Sequence, residues 1–288
     1  MLVDFNVAPS SGNKYVKEAE GVQPMMRHED DEGRIDTEER GSLLLISIDR
    51  PSKLNGFTPT MMAELARAYS CLEAGDYRCG ILYAVGENFT AGLDLPKMAP
   101  LIRAGESIVP ADCVDPFNLR PPFRQTPLVV AVQGYCYTLG VEVMLAADIV
   151  VAAADTRFSQ LEVKRGVMAT GGATIRMVER SGWGNAMRYL LTGDEFDAET
   201  ALRLNFVQEI VEPGEQLDRA LEIAQQIATC APLAVRQTIV SARLAIDQGS
   251  AAASRRFRDV QTELMRSTDA AEGVRSFVER RTPQFTGR

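Results

Sequence analysis

The chain has 288 residues, of which 45% are hydrophobic and 24% charged, a balance typical of a soluble globular protein with a substantial core. Its net charge of −8 argues against a broad nucleic-acid surface, which needs clustered Lys and Arg. The longest apolar region, 127–154, contains Gln133, Glu142 and Asp148, each of them costly in hydrocarbon. We therefore expect neither nucleic acid nor a membrane as a partner.

Histidine occurs once, at His28, within the charged segment RHEDDEGRIDTEER. A single histidine argues against a Ser-His-Asp triad, a Cys-His pair and a multi-histidine metal site, so no metal centre is expected. The five cysteines are scattered and odd in number, which favours a reducing cytoplasm over a disulfide scaffold. Acid–base chemistry therefore falls to carboxylates, Lys, Tyr or Cys.

The N-terminal residues 1–35 mix Gly, Pro, Ser and charge without periodicity, and we interpret them as a poorly ordered extension without a secretory signal. Order is predicted to begin at SLLLISIDRP, read as a strand. The segment TPTMMAELARAYSCLEAG then has helical spacing, with Thr58 as N-cap, Pro59 at the first helical position and Gly75 at the end.

A repeated pattern follows this helix. CGILYAV is predicted as a strand, GENFTAG as a turn, and DLPKMAPLIRAG as a helix that Asp94 would cap. PLVVAVQ, GYCYTLG, VEVMLAA and DIVVAAA then read as strand, turn, short helix and strand. The alternation indicates an α/β fold with functional loops at the strand ends.

Two further regions differ from this pattern. Residues 105–126 are irregular and contain Pro, Phe117 and Phe123, so we interpret them as an insertion or lid whose aromatic rings either line a site or pack the lid. Beyond the predicted strand FVQEIVE and Pro213 the chain is almost wholly helical, which suggests an appended packing or oligomerisation element.

Two glycine-bearing turns are candidates for anion stabilisation. Gly56 lies in a tight turn between the first strand and its helix, where backbone N–H groups are free to meet a ligand. GYCYTLGVE leads into a helix N-terminus, which favours negative charge. Two such donors facing each other would form an oxyanion hole.

Two glutamates follow the second turn. Glu142 lies in an apolar run, where an unpaired charge costs several kcal/mol, and Glu162 lies in FSQLEVKRG after the next strand. Consecutive strands usually lie close in space, so both carboxylates can reach the same end of the sheet and divide acid and base roles. Taken singly, Glu142 could instead bond helix-end amides, and Glu162 could be a solvated loop residue.

Several segments together resemble the crotonase superfamily, specifically enoyl-CoA hydratase and isomerase-like proteins, over about residues 40–288. The resemblance implies a spiral of β-β-α turns that binds acyl-coenzyme A in residues 36–225, followed by a C-terminal helical trimerisation region in residues 226–288, commonly in a dimer of trimers. The segments that carry it are RPSKLNGF, ENFTAGLDL, PLVVAVQGYCYTLGVEVMLAADIVVAAADTRFSQLEVKRG, LLTGDEFDAETALRLNFVQEIV and FVERRTPQFTGR.

Within the resemblance, the backbone N–H groups of Gly56 and Leu139 would polarise the thioester carbonyl of a 2-enoyl-CoA. Glu142 would deprotonate a water molecule and Glu162 would supply the proton for the α-carbon, which is hydratase chemistry. Coenzyme A is then part of the substrate, and no cofactor is expected. Its phosphates would meet basic side chains, and the candidates are Lys53, Lys97, Arg280 and Arg281. The two arginines could come from the same subunit or from a neighbouring one.

The turn before Glu142 departs from the family pattern. Hydratases usually have a glycine-rich turn where this chain has Thr138-Leu139-Gly140, and a side chain there restricts φ. Two alternatives to hydration therefore stay open. One is an isomerase or another acyl-CoA reaction on the same fold, and the other is a catalytically silent acyl-CoA-binding protein.

Overall fold

The computed structural model describes residues 32–288 and begins with the antiparallel pair β1 (Arg34–Arg40) and β2 (Leu43–Asp49). The predicted extension, including His28, lies mostly outside the described residues, although β1 begins two residues inside it. β1 went unpredicted because its sequence, RIDTEER, is charged and exposed and shows no hydrophobic alternation.

The predicted first helix is confirmed as α1 (Pro59–Ala74). The Thr58 side chain accepts a hydrogen bond from the Met61 N–H and so satisfies one of the free donors at the helix start. Pro59 occupies the first helical position, where a missing N–H costs nothing, and Gly75 ends the helix.

A six-stranded sheet, ordered β1-β2-β3-β4-β6-β9, forms the centre of the part that the structure describes. From β2 onward all neighbours are parallel, and helices cover the sheet, which explains why its strands are apolar runs rather than alternating ones. The strands that follow β2 are β3 (Cys79–Ala84), β4 (Leu128–Val132), β6 (Ile149–Ala153) and β9 (Glu209–Val211).

A second, smaller sheet joins β5 (Tyr135–Tyr137), β7 (Arg157–Ser159) and β8 (Phe196–Asp197). GYCYTLG is therefore not only a turn, because it contains β5; strands of three residues are too short to show periodicity. The chain passes from β4 through β5 into α3 (Leu139–Ala146), and from β6 through β7 towards α4 (Ala173–Ser181). This is the expected repeat of β-β-α turns.

The insertion follows α2 (Leu95–Arg103) and is held in place by its own side chains. Residues 105–126, all of them described, form no helix or strand. The Arg120 guanidinium donates to the Pro110 carbonyl at 2.9 Å, and the Asp115 carboxylate accepts from the Phe117 N–H at 3.1 Å. These bonds give residues 105–126 a defined internal structure.

The C-terminal region is helical, as predicted. α7 (Gln216–Ala228) packs on the central sheet. α8 (Pro232–Gln248) and α9 (Ser250–Met265) pair with each other and leave large apolar side chains exposed. α10 (Thr268–Glu279) also exposes large apolar side chains, and its Phe277 is 85% exposed. Within residues 32–288 no helix is both long and apolar enough to cross a membrane. Two further helices precede α7, namely α5 (Trp183–Leu190) and α6 (Ala198–Arg203).

Candidate active site

Glu142 lies in the first turn of α3, a helix that is buried along its whole length, and only 5% of the residue is exposed. Its Oε1 accepts a hydrogen bond from the Ala173 N–H at 3.3 Å, at the start of α4. A Cβ added at Gly171 would stand 2.6 Å from Oε2, so the Gly171 backbone also lies against the carboxylate. The carboxylate is therefore buried between two helix N-termini.

Burial raises the pKa of Glu142 from its ordinary 4.5 to about 7. The Ala173 and Gly171 N–H groups and the Arg176 charge oppose this rise in pKa, whereas the Glu162 charge adds to it. Glu142 thus bonds a helix-end amide, as one of its two interpretations expects, and its raised pKa is compatible with the other. A carboxyl group with a pKa near 7 can exchange a proton at neutral pH.

Glu162 begins a short 3₁₀ helix, Glu162–Arg165, and is half-buried. With the Gln160 amide oriented to satisfy its hydrogen bonds, its nitrogen donates to both Glu162 oxygens, at 3.0 and 2.9 Å. Burial raises the pKa of Glu162 as well. The Glu162 charge adds to the raised pKa of Glu142, so the two predicted glutamates interact electrostatically.

Leu139 is the first residue of α3, so its N–H lies at the helix N-terminus, where no intrahelical partner is available. Among the described residues no hydrogen bond from this N–H is found. The preceding residue, Thr138, donates its own N–H to the Ser159 carbonyl at 2.8 Å and accepts from the Glu142 N–H at 3.2 Å. The Leu139 amide therefore keeps the availability that the sequence predicts for it.

The Gly56 N–H does not have this availability, and here the structure departs from the expectation. It donates to the Lys53 carbonyl at 2.9 Å and closes the tight turn that follows the 3₁₀ helix Pro51–Lys53. A turn that supplies its own acceptor leaves no donor for a ligand. Gly56 thus shapes the turn rather than offering its N–H to a ligand.

The N–H of Leu93, in the segment ENFTAGLDL, is a second candidate donor. Phe57 and Leu93 form a parallel bridge in which the Phe57 N–H donates to the Gly92 carbonyl and the Asp94 N–H donates to the Phe57 carbonyl. In such a bridge the N–H of the central residue, Leu93, points away from Phe57. Within residues 32–288 that N–H has no hydrogen-bond partner.

The Leu93 and Leu139 segments lie side by side. A Cβ added at Gly92 would stand 1.9 Å from the Thr138 Oγ1, so Gly92 and Thr138, the residues before the two leucines, are in contact. Sequence reasoning missed Leu93 because an isolated bridge gives no periodic signal. The available signal was Gly92, whose φ of +107° favours glycine and permits this close approach.

Asp94, predicted to cap α2, occupies the N-cap position but makes no capping hydrogen bond with its side chain. It instead forms a buried ion pair with Arg50, at 2.9 Å, and the same Arg50 Nη1 donates to the Gly56 carbonyl at 2.7 Å. The pair ties the turn after β2 to the residue that follows Leu93. It thereby fixes the segment that carries the Leu93 amide.

The insertion contributes one aromatic ring to the Glu142 site. A Cβ at Gly171 would stand 2.7 Å from the Phe117 ring and 2.6 Å from the Glu142 Oε2, so ring and carboxylate are neighbours. Arg176 holds Phe117 in place by donating to its carbonyl at 2.6 Å. Phe123, by contrast, is 47% exposed.

The four basic residues predicted to bind coenzyme A lie in two places. Lys53 is exposed beside the Gly56 turn, and Lys97, on α2, pairs with Glu32. The Arg281 guanidinium donates hydrogen bonds to Glu272 and Glu279. Arg280 is the C-cap residue that follows α10, and its φ is 54°. No hydrogen bond or ion pair in the described part of the chain joins either arginine to Glu142 or Glu162.

A family model described as enoyl-CoA hydratase/isomerase matches residues 38–288. Enoyl-CoA hydratase EchA19 of Mycobacterium tuberculosis is 31% identical over 256 residues, which cover 87% of this chain and 96% of that protein. The crystal structure of a probable enoyl-CoA hydratase/isomerase from Mycobacterium abscessus is 46% identical, with a TM-score of 0.85, and covers 88% of this chain and 98% of its own. The structure of enoyl-CoA hydratase from Mycobacterium tuberculosis H37Rv is 36% identical, with a TM-score of 0.81 and coverages of 88% and 99%.

Proposed function

Because the chain belongs to the enoyl-CoA hydratase/isomerase family, we propose that it is a hydratase that adds water to the double bond of a 2-enoyl-CoA thioester. The observation that carries this proposal is that Glu142, whose pKa the Glu162 charge helps to raise, lies in the first turn of the helix that begins at Leu139. The Leu139 N–H has no hydrogen-bond partner within residues 32–288. Hydration needs one group to take a proton and another to deliver one, and paired carboxylates with raised pKa suit both tasks.

In the proposed reaction Glu142 takes a proton from a water molecule whose oxygen forms a bond to C3 of the enoyl group. The electrons of the C2–C3 double bond move towards the carbonyl, which becomes an enolate oxygen. Glu162 then delivers a proton to C2, and the proton taken by Glu142 returns to Glu162 through the next water. The sum is the addition of one water molecule.

The negative charge on the thioester oxygen would be stabilised by the Leu93 and Leu139 N–H groups. Leu93 takes the place that the sequence assigned to Gly56. Both amides are fixed by their backbone and lack another partner among the described residues. Donors that are oriented before the reaction lose nothing to reorganisation, and one such donor typically contributes about 2.7–4 kcal/mol to transition-state stabilisation.

Coenzyme A would enter beside the Gly56 turn and α2, where Lys53 and Lys97 offer positive charge to its phosphates. The proposal includes a homotrimer or dimer of trimers, since the exposed apolar side chains of α9 and α10, among them Phe257 and Phe277, need cover. The five free cysteines suit the reducing cytoplasm predicted from the sequence.

A direct test follows the loss of enoyl-thioester ultraviolet absorbance with 2-enoyl-CoA substrates of several chain lengths. We expect the wild type to be active, and Glu142→Gln and Glu162→Gln each to lose about a hundredfold or more in kcat. Oxygen from ¹⁸O-labelled water should appear at C3 of the product. A shifted double bond without labelled oxygen would indicate an isomerase, and equal inactivity of all three proteins, with CoA esters still bound, would indicate a silent binder.

A further inference from the structure

Thr138 has a backbone conformation that its residue type disfavours. Its φ is 48° and its ψ is −113°, close to the first central position of a type II′ turn, which glycine usually occupies. Threonine is β-branched, and a β-branched residue at positive φ is an outlier that costs free energy. Such an outlier persists only when its surroundings hold it, and its presence points to a role for the side chain.

The Thr138 side chain lies between the two segments that carry the candidate amides. Its Oγ1 stands where a Cβ of Gly92 would begin, at 1.9 Å from that position. Leu93 follows Gly92 and Leu139 follows Thr138, so this contact joins the residues directly before the two donors. The hydroxyl makes no hydrogen bond to another described residue, and its contribution is therefore the contact itself.

The surrounding bonds make the contact effective as a spacer. The Thr138 N–H is bound to the Ser159 carbonyl, and its carbonyl accepts from Glu142, so the Thr138 backbone is held from both sides. Across the contact, Gly92 is held by Phe57, which bonds the Gly92 carbonyl at 2.8 Å. The Thr90–Cys136 bridge joins the same two segments two residues earlier in each. Beyond that bridge the Oγ1 contact is where Gly92 and Thr138 meet, so it limits how closely the two segments approach each other.

We propose that Thr138 is a positioning residue of the oxyanion hole, whose Oγ1 contact with Gly92 sets the separation of the Leu93 and Leu139 N–H groups. The inference rests on the proposed function and explains why a strained threonine stands where hydratases usually have glycine. It also assigns the departure from the family pattern to the catalytic arrangement rather than to loss of activity.

The experiment compares Thr138→Ser, Thr138→Ala and Thr138→Gly with the wild type, measuring kcat, KM and melting temperature on the best 2-enoyl-CoA substrate. Thr138→Ser keeps Oγ and should retain kcat within about threefold. Thr138→Ala and Thr138→Gly lose the contact and should lower kcat about tenfold or more, with KM within about twofold, since a small misplacement of fixed donors costs rate rather than binding.

The melting temperature separates this role from a purely structural one. Glycine relieves the strain at φ 48°, so Thr138→Gly should melt at or above the wild-type temperature while kcat falls. A structural role would lower both together. Asn205→Gly is the matched control, because Asn205 also has a positive φ, 60°, and lies outside the site, so its kcat should not change.

Wild-type kcat in Thr138→Ala and Thr138→Gly, or a loss of kcat that follows the melting temperature, would overturn the positioning role and leave the hydratase proposal intact. A wild type inactive on all enoyl-CoA substrates would overturn both. A fall in kcat restored by serine and accompanied by unchanged melting supports the inference.

Discussion

Gly171 lies directly against the Glu142 carboxylate, since a Cβ added there would stand 2.6 Å from Oε2 and 2.7 Å from the Phe117 ring. Glu142 is buried on α3 and the Phe117 carbonyl is held by Arg176, so a methyl group at Gly171 would fit only if the Glu142 side chain or the Phe117 ring shifted. The glycine is therefore required by the close approach of its backbone to the proposed base.

Gly171→Ala should displace the Glu142 side chain and lower kcat about a hundredfold, because misplaced reacting groups lose the benefit of orientation. The measurement is steady-state kinetics, with circular dichroism to verify folding. Gly184→Ala is the control: Gly184 lies on α5 with open space around it, and alanine favours helix by about 1 kcal/mol. Equal kinetics for the two variants would contradict the proposed position of Glu142.

Glu142 should destabilise the fold at neutral and higher pH. Folding raises its pKa from 4.5 to about 7, so its charged form is disfavoured in the folded state. The penalty is complete above about pH 7 and disappears as the pH falls towards 4.5. Glu142→Gln should therefore raise the free energy of unfolding on the order of 2–3 kcal/mol at pH 8, and leave it nearly unchanged at pH 4.5. Urea unfolding at the two pH values measures this, and an equal effect at both would contradict the raised pKa.

Activity should depend on pH with an acid limb near neutrality. Glu142 must be ionised to accept a proton from water, and its pKa is about 7 in the free protein. We expect kcat/KM to fall about tenfold per pH unit below this value. A profile flat from pH 5 to pH 8 would show that Glu142 does not act as the base, or that its pKa is not raised.

The sequence predicted the glutamate pair because a carboxylate within an apolar run is costly and needs a reason. It predicted α1 from its helical spacing and capping residues, and the parallel strands of the central sheet from their apolar runs, because these are local signals. It did not predict Leu93, because the availability of that N–H depends on a bridge between Phe57 and Leu93 that forms only in the folded chain. The commitment of the Gly56 N–H to Lys53 is likewise a property of the turn geometry, which glycine permits but does not specify.

The Arg50–Asp94 pair should be a large contributor to stability. Arg50 is 3% exposed, and replacing Asp94 by Asn would remove the negative charge that faces this buried guanidinium, which typically costs about 1.5–3 kcal/mol. Asp94→Asn should thus lower the free energy of unfolding by an amount of this order, as measured by urea unfolding. Asp36→Asn, which removes one partner of the exposed Arg34–Asp36 pair, should change it by less than about 1 kcal/mol. Similar losses in the two variants would contradict the distinction.

Phe117 should control the environment of Glu142. Its ring lies beside the carboxylate, and burial is the main cause of the raised pKa of Glu142, so we expect the ring to exclude water from the carboxylate. Phe117→Ala should admit water, lower that pKa towards 4.5 and shift the acid limb of kcat/KM to lower pH, while kcat falls as the site loses its apolar wall. Phe117→Leu, which keeps apolar volume, should shift the limb less.

Phe123→Ala is the matched control for this prediction, because Phe123 belongs to the same insertion but is 47% exposed. Its pH profile should coincide with that of the wild type. If Phe117→Ala also kept the wild-type profile, the ring would have no part in excluding water from Glu142, and the burial that raises its pKa would have to come from the other residues around the carboxylate. A shift confined to Phe117→Ala would assign the desolvation of the proposed base to the insertion.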